Sequence, residues 1–161
     1  DAAYAAFHYA WPIDRLLHRF KFRGYLANGR TLALALAEYL DLRSAPHPDI
    51  LLPVPLHRRR LAERGFNQAG EIARILGRCL DVPVAHNAVR RTRATPAQRG
   101  LGRGARRSNL KGAFACRRPL NGLHVGVVDD VITTGSTANA LARVLKQAGA
   151  AEVSLYALAR A

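Results

Sequence analysis

Apolar positions along this chain follow two rhythms: short unbroken runs, and stretches in which apolar residues return every third or fourth place. Residues 5–9, 50–55, 125–129 and 153–158 are runs of the first kind and read as strands. Segments 84–90 and 111–116 are two further strand candidates. The second rhythm begins after Pro12, a residue suited to the first helical position, with Leu16, Leu17 and Phe20 on one face. It returns over 32–42, then as Ala69, Ile72, Ala73, Leu76 and Leu80, and finally as Leu141, Val144, Leu145 and Ala148. Pro46 and Pro48 end the second helix, Asn67 is placed to cap the third, and Gly149 follows the last. Pro53 and Pro55 stop the strand before them, so 56–66 reads as a loop. Residues 92–108 are rich in glycine and arginine without apolar rhythm, which predicts a long mobile loop. Strands alternate with helices, so the expectation is an α/β fold, a mainly parallel sheet with helices on both faces. Neither an internal repeat nor a linker interrupts it, so one domain over 1–161 is expected.

Composition narrows the class. The chain has 161 residues, 49% of them hydrophobic, enough for a packed core and against a disordered tail. No apolar run reaches membrane-spanning length and no secretory signal is visible, so a soluble cytoplasmic protein is expected. The chain begins at Asp1 and contains no methionine, so residues upstream are expected. Cys79 and Cys116 fit neither a zinc spacing nor a redox pair, and Cys79, on an apolar helix face, reads as a reduced core thiol. The six histidines are scattered without metal-ligand spacing.

Charge changes the picture more. The net charge is +14, and residues 82–128 hold no Asp or Glu while carrying Arg90, Arg91, Arg93, Arg99, Arg103, Arg106, Arg107, Lys111, Arg117 and Arg118. Such a field draws phosphates, pyrophosphate or nucleic acid, although a solvated basic face has the same composition. Phe114 is the one aromatic in that stretch, which weighs against a stacking platform for bases.

The chemistry concentrates in Val125-Gly126-Val127-Val128-Asp129-Asp130-Val131-Ile132-Thr133-Thr134-Gly135-Ser136-Thr137. An apolar strand meets two acids, and hydroxyls with a glycine then open a helix. Backbone N–H groups at a helix start are unpaired and face the positive end of the dipole. Gly135 admits close approach, and Thr133, Thr134, Ser136 and Thr137 add hydroxyl donors, a cradle for a phosphate monoester. The loop taken alone suits an ordinary capped turn equally well. The two carboxylates would repel a phosphate, so they suit other partners. Ribose hydroxyls are one fit, and magnesium, directly or through water, is another. A phosphorylated ribose presents both demands together.

This segment closely resembles the phosphoribosyl-diphosphate (PRPP) motif of type I phosphoribosyltransferases. Phe20-Lys21-Phe22-Arg23-Gly24, Pro53-Val54-Pro55, Arg64-Gly65-Phe66-Asn67-Gln68-Ala69 and Asn109-Leu110-Lys111-Gly112-Ala113-Phe114 resemble the ComF/GntX branch, so the likeness covers nearly the whole chain. The resemblance implies a type I phosphoribosyltransferase-like fold with a flap over 92–107 and a small N-terminal hood-like segment. It implies that Asp129 and Asp130 hold the ribose hydroxyls and a Mg2+ hydration shell as the catalytic pair, and that Thr133, Thr134, Gly135, Ser136 and Thr137 hold the 5-phosphate. It places the pyrophosphate against the loop from Val54 through Arg58, Arg59 and Arg60, with Arg99, Arg103, Arg106 and Arg107 supplied by the flap. It also implies a link to DNA uptake in natural competence.

Two departures qualify the likeness. Thr133 stands where enzymes acting on 6-oxopurines carry a third acid, so no general base for hypoxanthine or guanine is evident. The zinc ribbon usual in ComF proteins needs CxxC pairs, and this chain has none. Two functions stand. One is a phosphoribosyltransferase acting on PRPP, or a ribose-5-phosphate-containing nucleotide, and an unnamed acceptor. The other is a competence module that binds a nucleotide, single-stranded DNA or competence proteins without turnover. Oligomeric state is open.

Overall fold

A computed structural model describes residues 2–92 and 112–161. The order is β1 (Ala3–His8), α1 (Ile13–Arg23), α2 (Leu26–Leu42), β2 (Ile50–Pro53), α3 (Arg58–Arg64), α4 (Gln68–Leu80), β3 (Val89–Arg91), β4 (Phe114–Cys116), β5 (His124–Ile132), α5 (Ser136–Gln147) and β6 (Glu152–Arg160). Four strands form a wholly parallel sheet in the order β1-β6-β5-β2, and β3 and β4 form a separate antiparallel pair. The central strands β5 and β6 read as unbroken apolar runs because both of their faces are covered.

Strand alternation sorts side chains to the two faces. Leu51, Val128, Tyr156 and Leu158 meet Leu17 and Phe20 of α1, Leu36 and Leu40 of α2, and Ile72 and Leu76 of α4. Leu52, Val127 and Leu155 point the other way, toward Leu141 and Leu145 of α5 and toward Val89 and Phe114 of the antiparallel pair. Helices therefore lie on both faces, as the alternation predicted. Gly126 is required by packing: a Cβ there would lie 2.6 Å from the Tyr156 ring and 2.8 Å from Pro48. Tyr156 is held in turn by its hydroxyl, which donates to the Pro46 carbonyl at 2.9 Å.

Several boundaries differ from those the pattern predicted. Residues 56–66 do not form a loop throughout: α3 occupies most of them, capped by His57 Nδ1, which accepts from the Arg59 amide at 3.3 Å, and ended by Gly65 at φ 78°. No residue of α3 is buried, so it leaves no apolar stripe to read. β5 does not stop at the acids but continues through them to Ile132, because β6 keeps pairing with it (Asp129 with Ala157, Ile132 with Arg160). The strand expected over 84–90 shrinks to β3 and one bridge between Leu51 and Val84. α2 starts earlier than expected, at Leu26, through a polar turn in which Gly29 gives room to the Phe20 ring. Cys79 is exposed rather than a core thiol, since it lies at the margin of the α4 stripe in the last turn. No helix among the described residues is long and apolar enough to cross a membrane.

Candidate functional site

β2 and β5 lie side by side, with Pro53 beside Val128. The loops that leave their carboxyl ends therefore share one end of the sheet, where ligands of open α/β folds bind. Val54 is tied there twice. Its amide donates to the Val128 carbonyl at 2.9 Å, and its own carbonyl accepts from Asn67 Nδ2 at 3.1 Å. Asn67 is thus more than the predicted cap. Its Oδ1 accepts from the Ala69 amide at 3.1 Å while its amide nitrogen holds the preceding loop. The Val54 side chain is buried in the core and only its backbone faces the loop.

Asp129 and Asp130 are consecutive in a strand and so point to opposite sides. Asp129 opens onto a small cavity of about 40 Å³ walled by Thr133, Thr134, Gly135, Ser136 and Thr137. Gly135 takes the left-handed conformation (φ 71°, ψ 2°) that turns β5 into α5, and α5 starts without a side-chain cap. The Ser136 amide makes a long 3.4 Å bond to Thr134 Oγ1, and a helix start of this kind suits an anion. The Thr134 and Ser136 hydroxyls lie 2.8 Å apart, and the Asn139 amide closes the first helical bond on the Gly135 carbonyl at 2.9 Å. Asp129 and the five residues predicted for the phosphate are thus brought together, while Asp130 turns to the other side of the strand.

Burial pushes the Asp129 carboxyl up to about 7, and the neighbouring Asp130 charge adds to the rise. A hydrogen bond from the Asp130 amide (2.8 Å) and the charges of Lys21 and Arg91 oppose it. Asp130 meets Lys21, whose Nζ lies 2.9 Å from Oδ1 with both side chains mostly covered. In the sequence Lys21 stands out only as part of a basic-aromatic helix end. Its place beside the acids follows from α1 crossing the sheet end, which no local pattern encodes. Arg91, half-buried over the Phe114 ring at 5.5 Å, is a second such residue. Burial and then Arg60 pull its guanidinium below the ordinary value, while Asp129 works the other way.

The three arginines predicted after β2 diverge. Arg59 turns outward to Glu63 at 3.1 Å. Arg60 is half-buried, and its charge acts on Arg91. Arg58 lines a cavity of about 540 Å³ between α3 and the β3–β4 pair, together with His57, His86, Arg90, Arg91 and Arg117, and no carboxylate among the described residues lines it. Arg99, Arg103, Arg106 and Arg107 lie outside the described residues, as does the expected flap apart from Thr92.

No family model matches the chain. It is 42% identical over 163 residues to Competence protein F of Haemophilus influenzae, covering 96% of this chain and 70% of that protein. To the DNA utilization protein YhgH of Escherichia coli K12 it is 41% identical over 157 residues, covering 94% and 69%. Among solved structures it resembles adenine phosphoribosyltransferase from Thermoanaerobacter pseudethanolicus at a TM-score of 0.53 and 15% identity, covering 87% of this chain and 84% of that one. At that identity the likeness is one of fold, and the fold is that of the type I phosphoribosyltransferases.

Proposed function

This chain belongs to the ComF family of competence proteins, and from that premise we propose that it binds PRPP with magnesium at the carboxyl end of its sheet and transfers the phosphoribosyl group to an acceptor in support of DNA uptake. The observation that carries the proposal is the union of Asp129 with a hydroxyl-rich helix start that has no N-cap side chain, while Arg91 of the cationic cavity acts on the Asp129 charge. The 5-phosphate takes the amides and hydroxyls of residues 133–137. The ribose hydroxyls donate to Asp129 and Asp130, since an ionised carboxylate only accepts. The diphosphate lies toward Arg58, Arg60 and Arg91, which neutralise the charge that develops as it leaves the anomeric carbon. Arg59 serves the surface pair with Glu63 instead. Arg99, Arg103, Arg106 and Arg107 complete the proposal as flap cations.

The residues fit magnesium in one way only. Among the described residues no three His, Cys, Asp or Glu side chains cluster to hold a metal. Asp129 and Asp130 would supply the protein's share, with water and the ligand's own phosphate oxygens completing the shell, a manner of binding usual for Mg2+. Bound there, magnesium would contribute positive charge against the leaving diphosphate. Thr133 in place of a third acid leaves no carboxylate to take a proton from a 6-oxopurine, so the acceptor belongs to another class.

Calorimetric titration of PRPP, with and without magnesium, tests the site beside an Asp129→Asn/Asp130→Asn variant. Saturable binding, lost in the variant, is expected. A wild-type protein that binds no PRPP with magnesium present would end the phosphoribosyl reading. The cavity of about 540 Å³, with its arginines and no carboxylate among the described residues, favours a second reading, single-stranded DNA binding without turnover. Affinity for an oligonucleotide that falls steeply with salt, with no pyrophosphate released from PRPP, would select it.

A further inference from the structure

Lys21 is held at the acids by its neighbours. Phe20 is fully buried, with its ring 5.7 Å from that of Phe66, and Phe22 lies under the Arg64 guanidinium at 5.2 Å. The residues on both sides of Lys21 are therefore anchored to the end of α3 and the turn that follows it. The Lys21 stem is left to run along the protein to Asp130, where its ammonium sits 2.9 Å from Oδ1 with 19% and 16% of the two side chains exposed. An ammonium at that distance occupies a lone-pair direction that a metal ion or a ribose hydroxyl would otherwise take.

The same pair of acids has little else to recommend it to a bare cation. Asp130 is already paired with the Lys21 ammonium, Asp129 turns to the other side of the strand, and no third ligand-type side chain joins them among the described residues. A divalent ion arriving alone would have to displace a fixed positive charge or sit beside it. One arriving with a diphosphate brings enough negative charge to do either.

We infer that Lys21 is a positioning residue that acts as the resident counter-cation of Asp130. It keeps Asp130 closed to free Mg2+, so that metal enters only together with a phosphorylated ligand. This rests on the proposed PRPP reading for its biological meaning, but its test uses no PRPP, so the two can fail separately. The probe is Mn2+ alone, followed by electron paramagnetic resonance on the intact protein. Wild type is expected to show no ordered Mn2+ site. Lys21→Met is expected to gain one, at least about tenfold tighter, as removal of one adjacent positive charge implies. Adding Asp130→Asn should abolish the gain, and Lys21→Arg should behave as wild type. Melting curves identify any variant that fails to fold, in which case Lys21→Gln, closer in shape and polarity, replaces it. Equal Mn2+ binding by wild type and the Lys21 variants would overturn the inference. So would a gain that survives in the Lys21→Met/Asp130→Asn double variant.

Discussion

Replacing Asp129 with asparagine keeps the shape and the oxygen that accepts from the Asp130 amide, and removes the charge. In the folded protein that carboxyl titrates near 7 against an ordinary 3.8, because burial and Asp130 both disfavour its ionised form. The folded state thus holds the proton more tightly than the unfolded chain. Stability is highest while the group stays protonated, and it falls as pH rises from about 4 to about 7. At about 1.4 kcal/mol per tenfold in proton affinity, full ionisation costs the fold about 4 kcal/mol. Asp129 still reaches solvent through the small cavity, so about half of this, some 2 kcal/mol, is the expected gain of Asp129→Asn at pH 8. For a chain of this size that corresponds to a melting temperature higher by about 4–8 °C. Thermal melts by circular dichroism, wild type beside variant from about pH 4 to 8, give the answer as a difference, which cancels the effect of the large net charge. The gain should be near zero at the acid end, grow through the window and level off above about pH 7. A difference that stays constant with pH, or a variant that melts lower at pH 8, would refute the electrostatic reasoning. The same variant should lose PRPP, the exchange of stability for function usual at such sites.

PRPP binding itself should tighten as pH rises through about 7 and should release a proton, because the ribose hydroxyls need Asp129 ionised; calorimetry in buffers of different ionisation heat reads this, and pH-independent binding would count against the assigned role. Asn67→Asp keeps the cap on Ala69 but loses the bond to the Val54 carbonyl, so a loss of about 1 kcal/mol in urea denaturation is expected; Asn67→Ala, which loses both, should cost more, and an Asn67→Asp variant as stable as wild type would deny the bond to Val54. Gly126→Ala drives a methyl against Tyr156, Pro48 and Leu51 and should destabilise by about 1–3 kcal/mol in the same assay. Gly135→Ala has open space, with its nearest contact at 4.0 Å, so only the left-handed backbone resists it; about 1–2 kcal/mol and a weaker phosphate site are expected, and an unchanged PRPP affinity would separate the turn from the ligand.

Local pattern carried far in this chain wherever one face of an element is apolar. The α4 stripe of Ile72, Ala73 and Leu76 and the α5 pair Leu141 and Leu145 were legible because burial on one side imposes the helical period. The mainly parallel sheet was legible from strands alternating with helices, and unbroken runs such as 125–128 fit strands covered on both faces. The Asp129–Thr137 segment was legible for a related reason. Acids, glycine and hydroxyls in that order read as a strand giving way to a helix, and the structure makes that turn at Gly135. α3 escaped because it buries nothing, and Cys79 was misplaced because its distance from the neighbouring helix is not a property of α4.

What the sequence determined alone was therefore everything governed by contacts within one element or between an element and its next turn. The tertiary structure decided the rest: that Lys21 of α1 reaches Asp130 of β5, that the charge of Arg91 acts on Asp129 while Arg59 pairs with Glu63, and that Asn67 holds Val54. These pairs stand 13 to 109 residues apart in the chain or are split between neighbours on one short helix. Their meeting depends on how α1, α3 and the β3–β4 pair pack around the sheet end, and a charge leaves no periodic trace of the partner it will find there.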